Sequence, residues 1–174
     1  MRDVFERLGK LGIGYFLTGS EALARYGEPR QTMDVDIMVD IDSAEFPRIA
    51  RAFEDDYLVN DPIDFGGHVM ASLIATSALG KVDLILRRTD PWGKSAMERR
   101  QLWQHPHYGS LWVASLEDLI LAKLEWSDGK SELQLRDCRN LIAVNRDSID
   151  WQYVEHWAVS LGVKETLDRV RHAA

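Results

Sequence analysis

The chain has few of the features that build a disulfide scaffold, a cysteine zinc site or a membrane span. Its 174 residues include one cysteine, Cys138, which excludes an internal disulfide and any zinc site made of several cysteines. No apolar run approaches the roughly 18 to 20 residues that cross a bilayer, and residues 1 to 7 lack the apolar core of a signal peptide. We therefore expect a cytoplasmic protein without membrane contact.

An excess of basic charge is also missing. The sequence has 21 Lys and Arg against 28 Asp and Glu, a formal net charge of −7. The chain as a whole therefore does not attract nucleic acid, and a polyanionic ligand needs a local patch or a metal ion to hold it. Apolar residues make up 45% and charged residues 28%, which is typical of a folded globular protein.

The apolar pattern predicts an α+β fold, in which a small mixed β-sheet with flanking helices is followed by a helical C-terminal part. We expect a core over residues 1–90 and a mostly helical region over residues 91–174 that packs on it. Within the core, apolar spacing predicts a first helix that stops at Gly12, while residues 57–74 are ambiguous and hold one or two short strands. The other core elements expected are strands at 15–18, 33–39 and 81–86, and helices at 21–26 and about 44–53.

The second half reads mainly as helices. Pro91 and Gly93 open a helix to about residue 104, and a last short strand is expected at 111–113. Ser115 is a good N-cap for the helix that follows, with Asp118 in the capping-box position. Helices are expected at about residues 116–126, 133–144, 150–159 and 163–171.

Two acids on one predicted strand are the first candidate functional group. Asp34 and Asp36 lie two residues apart, so their side chains project from the same face, about 6.6 Å apart along the strand. Carboxylates this close repel each other unless a cation offsets their charge. Magnesium prefers oxygen ligands and is typically held by one or two carboxylates together with nucleotide phosphates. The alternative is a solvated edge strand that binds nothing.

Asp83 is a third acid, inside an otherwise apolar strand where an unpaired charge would be costly. If strand 81–86 lies beside strand 33–39, the three carboxylates converge on one face. They would then form a clamp for two metal ions, one activating the attacking oxygen and the other stabilising the leaving phosphate.

The turn at Gly19 and Ser20 supplies a complementary part. A glycine lets backbone amides approach a phosphate closely, and a helix that starts after Ser20 points N–H groups at the same place. Ser20 acting as a plain helix N-cap is the competing interpretation.

In this combination the sequence resembles the nucleotidyltransferase superfamily of DNA polymerase β, the minimal nucleotidyltransferases and the aminoglycoside nucleotidyltransferases. The resemblance covers roughly residues 13–90. It is carried by Thr18-Gly19-Ser20, by Asp34-Val35-Asp36-Ile37, and by Val82-Asp83-Leu84, in that order. Arg30-Gln31-Thr32-Met33-Asp34 is similar to the Arg-x-Thr-x-x-Asp lead-in of many bacterial members, which places Arg30 and Thr32 at the nucleotide. Thr18 departs from the apolar residue that is more usual there.

A weaker resemblance extends into the second half. Residues 117–124 and 135–141 look like the helical region of nucleotidyltransferase-like toxins from bacterial toxin–antitoxin pairs. That resemblance implies that Lys123 binds nucleotide phosphates and that Asp137 orients it or assists catalysis. The alternatives are a lysine that reaches from an apolar stripe to solvent and an ordinary helix ion pair.

Together these features predict a magnesium-dependent nucleotidyltransferase with a nucleoside triphosphate as substrate. Asp34, Asp36 and Asp83 would bind two Mg²⁺ ions, with Asp83 also deprotonating the acceptor hydroxyl, and Gly19 with Ser20 would hold the β- and γ-phosphates. The acceptor stays open between tRNA, a protein and an antibiotic, and the toxin-like tail suggests a cognate antitoxin. The rival hypothesis is a nucleotide- or partner-binding module without turnover.

Other conspicuous residues are not assigned to the site. His105-Pro106-His107 is expected to form a turn rather than a metal site. Tryptophans such as Trp126 are expected to pack in the core or between helices. The pairs Arg87-Arg88 and Arg99-Arg100 either flank the cleft or lie on a solvated helix face.

Overall fold

The computed structural model describes residues 1–77 and 80–174, and their strands form one eight-stranded mixed sheet. The strands are β1 (Tyr15–Thr18), β2 (Asp34–Val39), β3 (Tyr57–Val59), β4 (Ile63–Phe65), β5 (His68–Ala75), β6 (Lys81–Leu86), β7 (Gln101–His105) and β8 (Gly109–Val113). The helices are α1 (Arg2–Lys10), α2 (Leu23–Tyr26), α3 (Phe46–Phe53), α4 (Pro91–Arg99), α5 (Leu116–Ser127), α6 (Glu132–Asn145), α7 (Trp151–Ser160) and α8 (Lys164–His172).

The sheet has the order β3-β5-β6-β2-β1-β8-β7. Strand β4 lies outside this order and pairs with β5. β2 and β6 run parallel at its centre, and β1 pairs with β2 in the antiparallel sense. Alternate residues of β2 are buried, which puts Val35, Ile37 and Val39 in the core and leaves the acids on the other face. The predicted α+β class is confirmed.

Each face of the sheet is covered by different helices. On one face Phe5 of α1 packs against Tyr15, with ring centroids 5.6 Å apart. Over the other face lies α5, which is buried almost all round: Leu119, Ile120 and Leu121 are fully inaccessible. This helix lies inside the molecule, where it packs on the sheet and on its neighbouring helices, and its buried charged residues have partners there.

The prediction that a helix starts directly after Ser20 is wrong. Residues 19 to 22 form a turn, and α2 covers only Leu23–Tyr26 with no side-chain cap. The Ser20 hydroxyl instead accepts a hydrogen bond from the Arg30 guanidinium. A long-range partner has therefore taken the oxygen that a local cap would have used.

The prediction of one helix from residue 91 to about 104 is also wrong in its second part. The helix ends at Arg99, and residues 101–105 form β7, which pairs antiparallel with β8. The pairing partner lies beyond the turn at residues 106–108, so a local pattern did not show it. Residues 57–74, for which one or two short strands were expected, contribute to three strands.

The remaining helices follow their local signals. Ser115 Oγ accepts from the Asp118 backbone N–H at 3.1 Å and donates to Asp118 Oδ2 at 2.6 Å, which confirms the predicted cap of α5. Asp128, at φ +46°, ends that helix in the left-handed conformation, followed by Gly129. The helices predicted near α6, α7 and α8 are present. In the part of the chain that the structure describes, no helix is long and apolar enough to cross a bilayer.

The sheet crosses the boundary predicted at residue 90. β8, which lies beyond that boundary, pairs in parallel with β1 through Leu17 and Val113, and β7 extends the sheet further. The region 91–174 therefore supplies two strands as well as helices. The division into 1–90 and 91–174 stays a prediction.

Candidate active site

The register of the central strands brings two of the predicted acids together. Asp36 on β2 is the direct neighbour of Asp83 on β6, and Asp34 is the neighbour of Lys81. Thr18 on β1 pairs with Asp36 from the other side. Because directly paired residues share a face of the sheet, these side chains all project towards α5.

Asp83 already has partners. It is buried, and its carboxylate accepts a hydrogen bond from Ser72 Oγ at 2.6 Å and from Lys81 Nζ at 2.8 Å. The carboxylates of Asp34 and Asp36 accept no hydrogen bond and form no ion pair within residues 1–77 and 80–174. Lys81 therefore balances one of three negative charges, and the two on β2 are left to a ligand.

Burial sets the electrostatics of Asp36. Loss of hydration, followed by the negative charge of Asp83, raises the pKa of the Asp36 carboxyl to about 6. Lys123 and Lys81 act in the opposite direction but do not cancel this effect. A carboxylate in this position gains from any cation that comes to lie against it.

Gly19 makes the closest approach to these acids. It lies at φ +64°, and a Cβ on this residue would stand 1.9 Å from Asp36 Oδ2. Only glycine fits so close to the carboxylate in this backbone conformation. The turn therefore lies directly against the acid on β2.

A cleft of about 140 Å³ opens between the sheet and α5. Its polar lining includes Thr18, Gly19, Asp36 and Lys123, and its apolar walls come from the sheet and from Trp126. The full set of lining residues is Thr18, Gly19, Asp36, Met70, Ile85, Leu119, Ala122, Lys123, Trp126 and Gln134. The cleft thus joins the Gly19 turn, one strand acid and the helix lysine in one space.

Lys123 reaches this cleft from the buried side of α5. Its ammonium donates to Asp137 Oδ2 at 2.9 Å and to Gln134 Oε1 at 3.1 Å, both on α6. Lys123 and Asp137 are only 3% and 4% exposed, so the ion pair is shielded from water. The interpretation of Lys123 as a lysine that extends to solvent is therefore wrong.

Arg30 links this pair to the Gly19 turn. Its guanidinium donates to Ser20 Oγ, and its Nε lies 3.6 Å from Asp137 Oδ2. That Nε is buried without a hydrogen-bond partner in the described chain. The Arg30 guanidinium is thus shared between the Ser20 hydroxyl and the Asp137 carboxylate.

The other predicted residues lie at the margin of the cleft. Ser20, Arg30 and Thr32 line a wide neighbouring groove of about 600 Å³. The Thr32 hydroxyl is used locally, since it donates to the Asp34 carbonyl at 3.0 Å and accepts from the Asp34 N–H. Asp34 and Asp83 lie beside Asp36 on the sheet but do not line the cleft itself.

Sequence reasoning missed part of the cleft wall. His68 and Trp126 stack with ring centroids 4.5 Å apart, and Trp126 is 38% exposed beside Asp36 and Lys123. A second small cavity, which shares Trp126 with the cleft, contains Arg88 bound to Glu125 at 2.6 Å. These residues come from distant segments, so no sequence spacing connects them.

The two ring nitrogens of His105 have partners near the turn and on α2's preceding turn. His105 Nδ1 accepts the backbone N–H groups of His107 and Tyr108, and its Nε2 lies 3.3 Å from Glu21. The predicted turn at this tripeptide is present. The buried His105 ring is thus the centre of the turn.

The residues present fit a divalent cation only in part. Two carboxylates without partners and a turn too close for a Cβ are suitable for an oxygen-loving ion and the phosphates it carries. Within the described ranges, however, no three His, Cys, Asp or Glu side chains are grouped to hold a metal as they stand. The Lys81 ammonium forms an ion pair with the Asp83 carboxylate. This ion pair has to break before Asp83 can become a third metal ligand.

Comparison with known proteins finds likeness in structure rather than sequence. No family model matches the chain, and no curated protein matches its sequence significantly. A nucleotidyltransferase-like antigenic protein from Paracoccidioides brasiliensis is 16% identical, with 99% of this chain and 90% of that chain covered and a TM-score of 0.55.

Two further solved structures are similar to this chain in fold. The Thermotoga maritima protein TM1012, named as a nucleotidyltransferase, is 21% identical, with 78% of this chain and 87% of that chain covered and a TM-score of 0.57. ANT(2")-Ia, in complex with adenylyl-2"-tobramycin, is 13% identical, with 93% and 94% covered and a TM-score of 0.59. With the sheet, the turn and the acids in these positions, the chain has the nucleotidyltransferase fold.

Proposed function

We propose that this protein is a magnesium-dependent nucleotidyltransferase that moves a nucleoside monophosphate from a nucleoside triphosphate to an acceptor hydroxyl. One observation carries the proposal. Asp36, a half-buried carboxylate without a protein partner in the described residues, lies between Asp83 and the Gly19 turn in a cleft that also holds Lys123. This set is suited to an ion-bound triphosphate.

Residues in the cleft and beside it have separate roles in this proposal. Asp34 and Asp36 would hold Mg²⁺. Asp83 would become a further ligand once its ion pair with Lys81 breaks. The bound ions, two in our proposal, supply charge neutralisation for the triphosphate. The Gly19 backbone and Ser20 contact the β- and γ-phosphates. Lys123 and Arg30 give positive charge from the opposite wall, and Asp137 holds both in place.

The transfer step then follows from position and charge. The acceptor oxygen attacks the α-phosphorus in line, a new O–P bond forms, and the bond from the α-phosphorus to the bridging oxygen breaks. Pyrophosphate leaves with that electron pair, and Asp83 takes the proton of the acceptor hydroxyl. Catalysis of this kind is mainly positioning and electrostatic stabilisation.

The test is transfer of α-³²P label from each of the four nucleoside triphosphates, with Mg²⁺, into bacterial RNA, protein and small molecules. The Asp34→Ala/Asp36→Ala variant is run beside the wild type. We expect label in one fraction that disappears in the variant and in EDTA. Full labelling by the variant would overturn the proposal.

A binding module without turnover is the second candidate, because Lys81 neutralises Asp83 and leaves two free ligands rather than three. Both candidates predict that ATP with Mg²⁺ raises the melting temperature. Only the enzyme releases pyrophosphate. No release with RNA, protein or small-molecule acceptors, despite a raised melting temperature, would favour the module.

The acceptor class divides the proposal further. LnuA is an antibiotic adenylyltransferase with lincomycin bound, and ANT(2")-Ia is solved with an adenylylated antibiotic, which support a small-molecule acceptor. The toxin-like role and its cognate antitoxin rest on the resemblance of residues 117–124 and 135–141 alone. An acceptor labelled in the protein fraction would favour the toxin-like alternative over the antibiotic one.

A further inference from the structure

Lys81 lies among the three strand acids, on the same face of the sheet. It is the direct neighbour of Asp34 across strands β2 and β6, and it precedes Asp83 by two residues on β6, so these side chains share a face. Asp36, the neighbour of Asp83, shares that face as well. We call Asp34, Asp36 and Asp83 the acid cluster. Lys81 is thus a cation built into the strand that carries one of its members.

The two oxygens of the Asp83 carboxylate have different partners. Ser72 Oγ donates to Oδ1 at 2.6 Å, and Lys81 Nζ donates to Oδ2 at 2.8 Å. Ser72 is neutral and pairs with Asp83 from β5, so it can hold Oδ1 in place whatever lies at Oδ2. Oδ2 is therefore the position at which the ammonium and a metal ion exclude each other.

Exposure allows Lys81 to leave this position. Its side chain is 40% exposed, whereas that of Asp83 is 11% exposed. A lysine ammonium at the surface can turn to solvent and stay hydrated, so its release leaves no buried positive charge. The largely shielded Asp83 carboxylate then needs another cation. Lys123, at 3% exposure, has no such freedom.

Charge determines how many ions the acid cluster accepts. Its three carboxylates and the Lys81 ammonium have a net charge of −2 when all four groups are ionised, which a single divalent ion neutralises. A second divalent ion would bring an excess of positive charge unless an anion comes with it. The triphosphate of a nucleotide is such an anion, because it carries the ion on its own oxygens.

We propose that Lys81 limits the acid cluster to one divalent ion until a triphosphate binds, and that a second ion displaces its ammonium from Asp83 Oδ2 only together with that triphosphate. The inference rests on the proposed function for the nucleotide, but it concerns metal binding and not turnover. Metal and nucleotide therefore bind cooperatively, and removal of the Lys81 charge reduces the cooperativity. Lys81 is a positioning residue in this scheme, because it acts through Asp83.

The test counts bound Mn²⁺, which prefers the same oxygen ligands as Mg²⁺, by electron paramagnetic resonance. Each protein is titrated at pH 8, where Asp36 is ionised, alone and with an ATP analogue whose α,β-methylene bridge prevents transfer. For the wild type we expect one bound ion alone and two with the analogue. In Lys81→Met the second ion should bind without the analogue, at least about tenfold more tightly than in the wild type.

Lys130→Met is the matched control. Lys130 pairs with Asp128 at 2.7 Å, also two residues away along the chain, but in a turn where the two side chains are 83% and 82% exposed. Its Mn²⁺ binding should equal that of the wild type. Lys81→Arg keeps the charge and should keep the second ion dependent on the analogue.

Thermal unfolding shows whether Lys81→Met folds. If it does not, Lys81→Gln replaces it, because the amide still donates to Asp83 without a positive charge. The same tightening of the second ion is expected. An unchanged or weaker affinity for the second ion in the neutral variant would overturn the role of Lys81, as would equal tightening in Lys81→Arg.

Transfer of α-³²P label, measured on the same proteins, lets the two proposals fail separately. Tighter binding of the second ion in Lys81→Met, with no label transfer by the wild type to RNA, protein or small molecules, would contradict the proposed function and keep the role of Lys81. Label transfer by the wild type with identical Mn²⁺ binding in Lys81→Met would do the reverse. No Mn²⁺ bound by the wild type or by Lys81→Met, with or without the analogue, would overturn both.

Discussion

At position 19, both the backbone conformation and the contact with Asp36 require glycine. Its φ of +64° is one that L side chains rarely adopt, and the space a Cβ would need is filled by Asp36. Gly66 has a similar φ of +62°, but nothing lies within 4 Å of its Cβ position. Alanine substitutions at the two glycines therefore separate the free energy of backbone strain from that of the close contact with Asp36.

Gly19→Ala is expected to lose nucleotide-dependent stabilisation, whereas Gly66→Ala keeps it. The left-handed backbone is expected to destabilise both variants by about 1 to 2 kcal/mol, and Gly19→Ala by about 1 to 3 kcal/mol more because Asp36 must move. Thermal unfolding with and without ATP and Mg²⁺ gives both quantities. Equal loss of stability in the two variants would show that the contact with Asp36 is not tight.

The ionised Asp36 carboxylate lowers the stability of the folded state at neutral pH. Its pKa is raised to about 6, first by burial and then by Asp83, from an ordinary value of 3.8. A carboxyl with a higher pKa in the folded state costs stability above that pKa and nothing below the unfolded value. The penalty therefore grows as the pH rises from about 4 to about 6.

Asp36→Asn is expected to raise the free energy of unfolding by about 1 to 2 kcal/mol at pH 8. The gain should fade below pH 4, where wild-type Asp36 is protonated in both states. Urea unfolding at several pH values measures it, with Asp42→Asn as the exposed control. The same variant should lose nucleotidyl transfer, and a variant that is less stable at pH 8 would contradict the electrostatic account.

At the scale of elements, α5 and α6 meet through a buried ion pair. Lys123 on α5 and Asp137 on α6 are 2.9 Å apart and almost inaccessible to water. Gln134 and Arg30 contact the same pair, so the two helices are locked to the Gly19 turn as well as to each other. Removal of one charge leaves the other buried without its partner.

Asp137→Ala is expected to cost about 3 to 5 kcal/mol, because the Lys123 ammonium remains in the core. Lys123→Met/Asp137→Leu should recover much of that stability but bind no nucleotide. Arg139→Ala is the control, since its pair with Glu132 is at the surface at 3.5 Å and is worth about 0.5 kcal/mol or less. Chemical denaturation decides, and a double variant as unstable as Asp137→Ala would contradict the interpretation.

At the scale of the whole molecule, the halves of the chain share one sheet. β8 pairs with β1, so strands from beyond residue 90 complete the layer that carries the acids. Helix α5 covers that layer, and its buried residues belong to the same core cluster as those of α1 and α3. Buried residues from both halves thus form one core cluster.

A fragment of residues 1–90 is therefore expected not to fold, and the full chain should unfold in one cooperative transition. Circular dichroism and tryptophan fluorescence should give the same midpoint for the full chain. A fragment with a cooperative transition of its own would support the predicted boundary at residue 90.

Alkylation of Cys138 tests whether the full chain unfolds in one cooperative transition. The thiol is fully buried in α6, and burial raises its pKa to about 12. It should resist alkylation in the native protein and react at a rate set by unfolding. Fast labelling at low denaturant, before the fluorescence change, would show that α6 opens independently.

The sequence by itself determined which segments are strands and helices wherever local chemistry is enough. Alternation of acids with apolar residues defined β2, an apolar run defined β6, and Ser115 with Asp118 defined the start of α5. The same chemistry indicated the candidate acids, because a charge inside an apolar strand needs a partner wherever that strand lies.

Only the tertiary structure decided which groups meet. It paired Asp36 with Asp83 through strand register, gave Ser20 to Arg30 instead of a helix cap, and made residues 101–105 a strand by pairing them with β8. It also turned Lys123 inward to Asp137. Each outcome depends on contacts between residues far apart in the chain, whose free energy outweighs the local preference, and local spacing carries no record of them.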